Sequence, residues 1–374
     1  MSAPRVLVLG SVLGQTRSGV ARHAENALPR AARLLAEQGG RLLVLGPARE
    51  PEWLTAARAA GAPLEHRPAD LGQGPLARWR REGPALSACL AAHPGPWVLH
   101  QGHLPLPRGL PPELPLCWML HDPRQLDAQL VGGLRARLGR RLLGQAAARA
   151  AQVVVPSRSV AGDLAARFPS LAHKLSVARH GSDHFVPEPR EPGRYLLGLG
   201  HLEKRKNWGL ILRALALDPG LPPLLLCGRD VAGEARRLAR LAAELGLGAR
   251  YQQRGPVPEA ELPALYASAA ALVLPSRMEG FGLPVLEAQL AGVPVTLARA
   301  GALPEVGGPQ AISFDPRSPE QALHALRAAL AKGPAELAAA RRHAQGFRWD
   351  HAARQLVDAW IACSVARPAP PSRG

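Results

Sequence analysis

Two glutamates, Glu279 and Glu287, flank an expected helix start in LVLPSRMEGFGLPVLEAQLAGVPV (residues 272–295). A buried strand ends at Ser276, and the loop after it carries Glu279. Gly280 and Gly282 flank Phe281 and let the backbone approach a ligand closely. Pro284 suits the first turn of a helix, Glu287 lies inside that helix, and Gly292 ends it. The N–H groups exposed at such a start form an anion site. A diphosphate there would lie between two carboxylates whose own partners are sugar hydroxyls, one on a transferred sugar and one on a nucleoside ribose. A bare Glu-x7-Glu would be better explained as one surface glutamate and one favoured by the helix dipole. The rest of the chain must decide.

The elements that would position these residues recur in one rhythm: a short apolar run, a turn, then an amphipathic Ala/Leu/Arg stretch. That alternation predicts βαβ units around parallel sheets. In the first half, strands are expected at residues 5–10, 41–46, 97–102, 114–122, 153–157 and 175–181, with long helices over 19–37 and 123–150. A stretch rich in Pro, Glu and Asp, residues 181–194, reads as an interdomain linker. Strands then resume at 195–200, 223–228, 251–255, 271–276 and 293–298. A last helix is expected over 351–366, followed by a disordered Pro/Ser/Arg tail. The expected domains are residues 1–186 and 187–348, with a helix at 349–366 that returns to the first domain and a tail at 367–374. Two such domains imply a cleft at the carboxyl ends of their strands, where open α/β sheets bind ligands.

Composition narrows the class. The chain has 374 residues, which suits two domains better than one core. The net charge is +17, and only four of the 46 basic residues are lysine. Attraction to phosphorylated ligands or anionic membrane surfaces is one reading. The scatter of arginine along helix faces favours a simple compositional habit. No basic tract is interleaved with aromatics, so nucleic acid is not the expected partner. Cys89, Cys117, Cys227 and Cys363 are far apart, as reduced buried thiols would be. The N-terminus reads as a first strand and no apolar run approaches a membrane span, so a cytoplasmic protein with at most peripheral membrane contact is expected. No Asp-x-Asp occurs, which removes the usual metal–diphosphate clamp; neither a metal nor a cofactor is expected. His180 and His184 lack a third ligand at sensible spacing. GLGHLE (198–203) lacks the third glycine of a dinucleotide fingerprint.

At EGFGLPVLEAQLAGVPV the chain resembles the signature of the retaining glycosyltransferase family 4, group 1, whose fold is GT-B: α/β, with two Rossmann-like domains facing across a cleft. The resemblance continues in order through SGVARHAENAL (18–28), LHDP (120–123), VVVPSRSVAGDL (153–164), KLSVARHGSD (174–183), GLGHLEKRKNWGLILRAL (198–215), RGPVPEAELPALYASAAALVLPS (254–276) and LPEVGG (303–308). It is weakest over 47–96.

The resemblance implies a role for each matching residue. Glu279 would contact hydroxyls of the donor sugar, and Glu287 those of the ribose. The backbone of Phe281, Gly282 and Leu283 would meet the sugar and the diphosphate. Lys206 would neutralise the departing diphosphate, His121 would stand near the donor sugar, and Gly19 near the phosphates or acceptor. Main-chain groups at Val257 would meet the base. The family's usual arginine is replaced by His201, which can carry one charge only when protonated. The reaction implied is transfer of a hexose, with mannose favoured by HDP and ALPEVGG, from a nucleoside diphosphate sugar to a glycan or lipid-linked acceptor. Two rivals share the fold: a nucleotide-sugar epimerase, and a catalytically silent sugar-nucleotide-binding protein suggested by His201.

Overall fold

The computed structural model describes residues 3–13, 19–122, 133–231 and 233–366. The chain divides into two compact units, Met1–Gly181 with Trp349–Gly374, and Ser182–Arg348. Residues 123–132 of the expected helix, Ser18 and Pro123 of the resembling segments, and the tail 367–374 lie outside the described residues.

The first unit is a parallel sheet in the order β3-β2-β1-β4-β5-β6-β7. Its strands are β1 (Arg5–Leu9), β2 (Arg41–Gly46), β3 (Leu64–Pro68), β4 (Trp97–Gln101), β5 (Leu116–Met119), β6 (Gln152–Val155) and β7 (Leu175–Val177). The central strands are apolar on both faces because helices cover both, as parallel sheets require. Helix α1 (Gly19–Glu37) buries Ala24, Ala27, Leu28, Ala31 and Leu35, a stripe at three- and four-residue spacing. The C-terminal helix, Trp349–Val365, packs against α1 and buries Trp349, Leu356 and Trp360. Helices α2 (Glu52–Ala59) and α3 (Pro75–Ala92) and strand β3 fill the stretch where the sequence signal was weakest. Leu64 is the only fully buried residue of β3, so that edge strand lacks the apolar run that marks its neighbours.

The second unit is a parallel sheet in the order β10-β9-β8-β11-β12-β13. Its strands are β8 (Tyr195–Leu199), β9 (Leu224–Cys227), β10 (Tyr251–Arg254), β11 (Ala269–Leu274), β12 (Val295–Ala298) and β13 (Ile312–Phe314). The three-residue strand β13 was not anticipated, being too short to show a period. Residues 182–186 belong to this unit. Ser182 donates from its backbone N–H to the Phe347 carbonyl and from its hydroxyl to the Ala344 carbonyl, and Phe185 stacks edge-on against Tyr266. The compact units therefore part at 181/182 rather than 186/187. Within the expected linker, the Arg190 guanidinium donates to the carbonyls of Tyr266, Ala267 and Ala269. All four cysteines are buried and unpaired. No helix among the described residues is long and apolar enough to cross a membrane.

Candidate active site

In a doubly wound sheet, the strand order reverses at a switch point, and the loops leaving the two strands there splay apart. In the second unit that point lies between β8 and β11. The loop after β8 turns at Gly200, whose φ of +139° favours glycine. A Cβ there would lie 3.1 Å from the Lys206 Nζ. The loop after β9 approaches so closely that a Cβ on Gly228 would fall 1.9 Å from the Gly200 carbonyl oxygen. These glycines let two loops pack backbone to backbone and hold the 3₁₀ turn Lys204–Lys206 above the sheet. The turn ends at Asn207, left-handed at φ 58°, whose side-chain amide donates to the carbonyls of Pro275 and Pro316.

Across the switch point, the loop after β11 brings Glu279 to this turn. Lys206 Nζ donates to Glu279 Oε1 at 2.5 Å, Arg205 Nη1 lies 3.2 Å from Oε2, and the Ser276 hydroxyl donates to Oε1 at 2.7 Å. Burial alone would push the Glu279 carboxyl up; Lys206 and Arg205 outweigh it and hold it at about 2. The carboxylate is therefore ionised and fixed in direction. Its loop is fixed too, because Gly301, at φ +54°, lets the next loop pass against the Glu279 backbone. His201 stands half-buried on the β8 loop. Burial lowers its pKa, as does Arg229, with Glu203 opposing and Lys206 and Arg205 adding to the fall.

Helix α9 (Leu283–Leu290) starts at Gly282, at φ +105°, with no side chain capping its first N–H groups. A Cβ on Gly282 would meet Leu303 Cδ2 at 2.8 Å. Phe281 is buried edge-on against Phe347 at 6.0 Å between ring centres. Glu287 lies one turn inside the helix and is only 2% exposed. The Tyr266 hydroxyl donates to its Oε2 at 2.7 Å, and His184 Nε2 lies 3.4 Å from Oε1. Val257 sits half-buried on the loop after β10. The second unit thus gathers Lys206, His201, Glu279, Phe281, Gly282, Leu283 and Val257 on loops at the carboxyl ends of its strands.

The other two expected residues lie in the first unit. Gly19 is the exposed first residue of α1, and a Cβ there would meet nothing within 4 Å, so packing within the unit does not demand glycine. His121 follows β5, its ring 5.1 Å from that of His23 and 5.8 Å from that of His180. His23 Nδ1 and His180 Nδ1 lie 3.2 Å apart. Burial pushes His121 down to about 4 and His100 down to about 3. Trp360 Nε1 donates to His100 Nδ1 at 3.2 Å, so that nitrogen carries no proton. His121 is a neutral ring at pH 7, able to position a hydroxyl but not to carry charge. No group of three or more His, Cys, Asp or Glu among the described residues is arranged to hold a metal.

Ser276 and Tyr266 were not singled out as site residues; Arg205 was weighed only as compensation for His201, and His184 only as a metal ligand. Nor was a buried pair in the first unit, Glu82 with His103 Nε2 at 2.8 Å, which Ser11 joins at 3.4 Å after β1. Arg205 and Ser276 stand beside residues that the sequence did mark, so their spacing offered a signal. Tyr266 and His184 reach Glu287 from 21 and 103 residues away, and Glu82 reaches His103 across 21. No local pattern records such pairs.

The two parallel α/β sheets, each with its strands' loops at the carboxyl end, define the GT-B fold. Sucrose-phosphate synthase of Thermosynechococcus elongatus superposes with a TM-score of 0.74 at 19% identity, over 95% of this chain and 97% of that one. Residues 181–345 match the family described as glycosyl transferases group 1, and the second unit belongs to that family. D-inositol 3-phosphate glycosyltransferase of Salinispora tropica is 31% identical over 275 residues, 63% of this chain and 56% of that protein. O-antigen chain mannosyltransferase B of Escherichia coli is 36% identical over 173 residues, 44% of this chain and 45% of that protein. The matches span about half the length of these sequence relatives.

Proposed function

We propose that the protein transfers a hexose, mannose in the first instance, from a nucleoside diphosphate sugar to a hydroxyl of a glycan or glycolipid. Transfer retains the anomeric configuration and uses no metal. The observation that carries this reading is the pairing of Lys206 and Arg205 with Glu279 at the switch point of the second unit. Arg205 bridges Glu279 and Glu203, the latter at 2.8 Å, so it can hold the carboxylates while Lys206 turns to phosphate. The similarity to a mannosyltransferase over 173 residues supports mannose.

In the reaction, the bond from the anomeric carbon to the β-phosphate oxygen breaks. A new bond forms from that carbon to the acceptor oxygen, on the same face. The acceptor proton passes to the departing phosphate oxygen. Lys206 stabilises the negative charge that builds on the diphosphate, a preorganised electrostatic role. Uncapped N–H groups at the start of α9 add to it. Glu279 holds the donor-sugar hydroxyls in a fixed direction, Glu287 accepts from the ribose, and main chain at Val257 meets the base. The first unit selects and positions the acceptor, with Gly19 near the phosphates or acceptor and neutral His121 near the donor sugar. The protein works in the cytoplasm, peripheral to the membrane where its acceptor is lipid-linked.

The test is a panel of GDP- and UDP-sugars offered with oligosaccharide and glycolipid acceptors, with the product's anomeric configuration read by NMR. An inverted product sinks the retaining mechanism. Donor binding without transfer to any acceptor sinks the transferase reading.

A further inference from the structure

On the far flank of the 3₁₀ turn that presents Lys206, the second unit forms a half-open cavity of about 460 Å³. Lys204, Arg213, Arg237, Arg277 and Arg317 line it, and no acidic residue does. None of the residues assigned above to the donor lines it. Arg237 is paired with Glu234, and Arg317 with Asp315. Lys204, Arg213 and Arg277 are exposed and have no ion-pair partner among the described residues. Three like charges around one cavity repel one another, and each would gain from an anion placed between them.

The backbone points the same way. Asn207 starts helix α6 (Trp208–Leu217) at this cavity, and no side chain caps the helix. The Asn207 amide, which could have capped it, is spent on the carbonyls of Pro275 and Pro316. Gly209, next along, offers no side chain to cover the first turn. The positive end of a ten-residue helix therefore opens into the same space as the arginines. The remaining wall is apolar, from Leu210, Leu241, Pro316 and Pro319.

We infer that this cavity is a second anion site, built to take a group of clustered phosphates and separate from the donor site. Its volume accommodates a di- or triphosphate with part of the organic moiety it belongs to. Lys204 shares its turn with Lys206, and the Arg277 N–H donates to the Arg205 carbonyl at 2.8 Å. An occupant therefore bears directly on the turn that presents the donor-site lysine. The phosphates can belong to a soluble molecule or to a lipid headgroup, and the experiment separates the two.

Inorganic tripolyphosphate is titrated calorimetrically into Lys206→Ala protein, which weakens phosphate binding at the donor site. Sedimentation with phosphatidylcholine vesicles doped with phosphatidylinositol bisphosphate, whose headgroup carries clustered phosphates, provides the second arm. The expected result is saturable binding, weakened at least about tenfold by Arg213→Glu/Arg277→Glu, since charge-assisted contacts are lost. Arg80→Glu/Arg167→Glu, the same change of charge on exposed residues of the first unit, should weaken it less than about twofold. Arg213→Ala/Arg277→Ala replaces the reversal if melting curves show that it disturbs folding. Tripolyphosphate binding with this dependence assigns a soluble ligand. Vesicle binding alone, with the same dependence, assigns a headgroup. No binding in either arm, or equal weakening by both double variants, overturns the site.

Discussion

Lys206 Nζ and Glu279 Oε1 meet at 2.5 Å across 73 residues of sequence, joining the loop after β8 to the loop after β11. The pair sits where the sheet order reverses, so both loops are free to hold a ligand. Glu279 also takes Arg205, which lets Lys206 leave for an arriving phosphate without stranding a buried carboxylate. Lys206→Ala should therefore fold and lose about 10²–10³ in kcat, the usual cost of one contact to developing charge. His201→Ala should lose much less. Steady-state kinetics on both variants check this, and equal losses would make His201 a full partner.

Glu287 is more deeply set than an exposed ribose ligand would be. Its two oxygens already face Tyr266 and His184, so Glu287→Ala does more than remove a nucleotide contact. It also takes from the buried Tyr266 hydroxyl its 2.7 Å acceptor, leaving the Pro284 carbonyl at 3.3 Å, and should destabilise the second unit by about 1–3 kcal/mol. Glu287→Gln keeps the volume and one acceptor. It should weaken nucleotide binding by about tenfold to a hundredfold while the melt moves little. Unchanged affinity by calorimetry would remove Glu287 from the ribose.

The buried histidines of the first unit predict acid sensitivity. His121 and His100 have folded pKa values of about 4 and 3, below the unfolded value of about 6.5. The unfolded chain thus binds more protons below pH 6.5, and stability falls as pH falls through that window. Each should contribute a loss on the order of 2 kcal/mol by pH 5. Glu279 adds nothing there, because its stabilisation is lost only as pH falls from about 4.5 toward 2. Chemical denaturation of the first unit at pH 7.5 and pH 5 is the measurement, and a flat stability contradicts it.

The parallel architecture was legible because apolar runs such as RVLVL and ALVL are long enough to show their period. Strand β13 has three residues and β3 is fully buried only at Leu64, so neither stands out. The loop after β11 was legible because Gly280, Gly282 and Pro284 mark its turns locally. The partners of Glu287 were not, since Tyr266 and His184 reach it only through the fold. The neutrality of His121 was also hidden, because it comes from burial beside other elements rather than from Asp122 next to it.

Transfer should survive chelation. The chain holds no Asp-x-Asp, and Lys206 with the α9 start offers the diphosphate its charge from protein groups. Full turnover after treatment with EDTA and desalting is expected. Activity lost on chelation and restored by Mn²⁺ or Mg²⁺ refutes the metal-free reading.

His201 gives the last prediction its sign. The protein lowers this imidazole's pKa, first through burial and then through Arg229, with Lys206 and Arg205 adding to the fall against Glu203's opposition. In the free enzyme the ring is therefore neutral above about pH 6.5. If its charged form supports the leaving diphosphate, kcat/KM should fall as pH rises through the lowered pKa. That parameter reports the free enzyme. The fall in kcat should come at higher pH, because a bound diphosphate favours the imidazolium. His201→Arg carries its charge at every working pH and offers a bidentate fork to phosphate. It should flatten both limbs and exceed the wild type above pH 8. Profiles of both parameters from about pH 5 to pH 9 decide the matter. Parallel curves, with the arginine variant slower throughout, would mean that His201 shapes the pocket and does not hold phosphate.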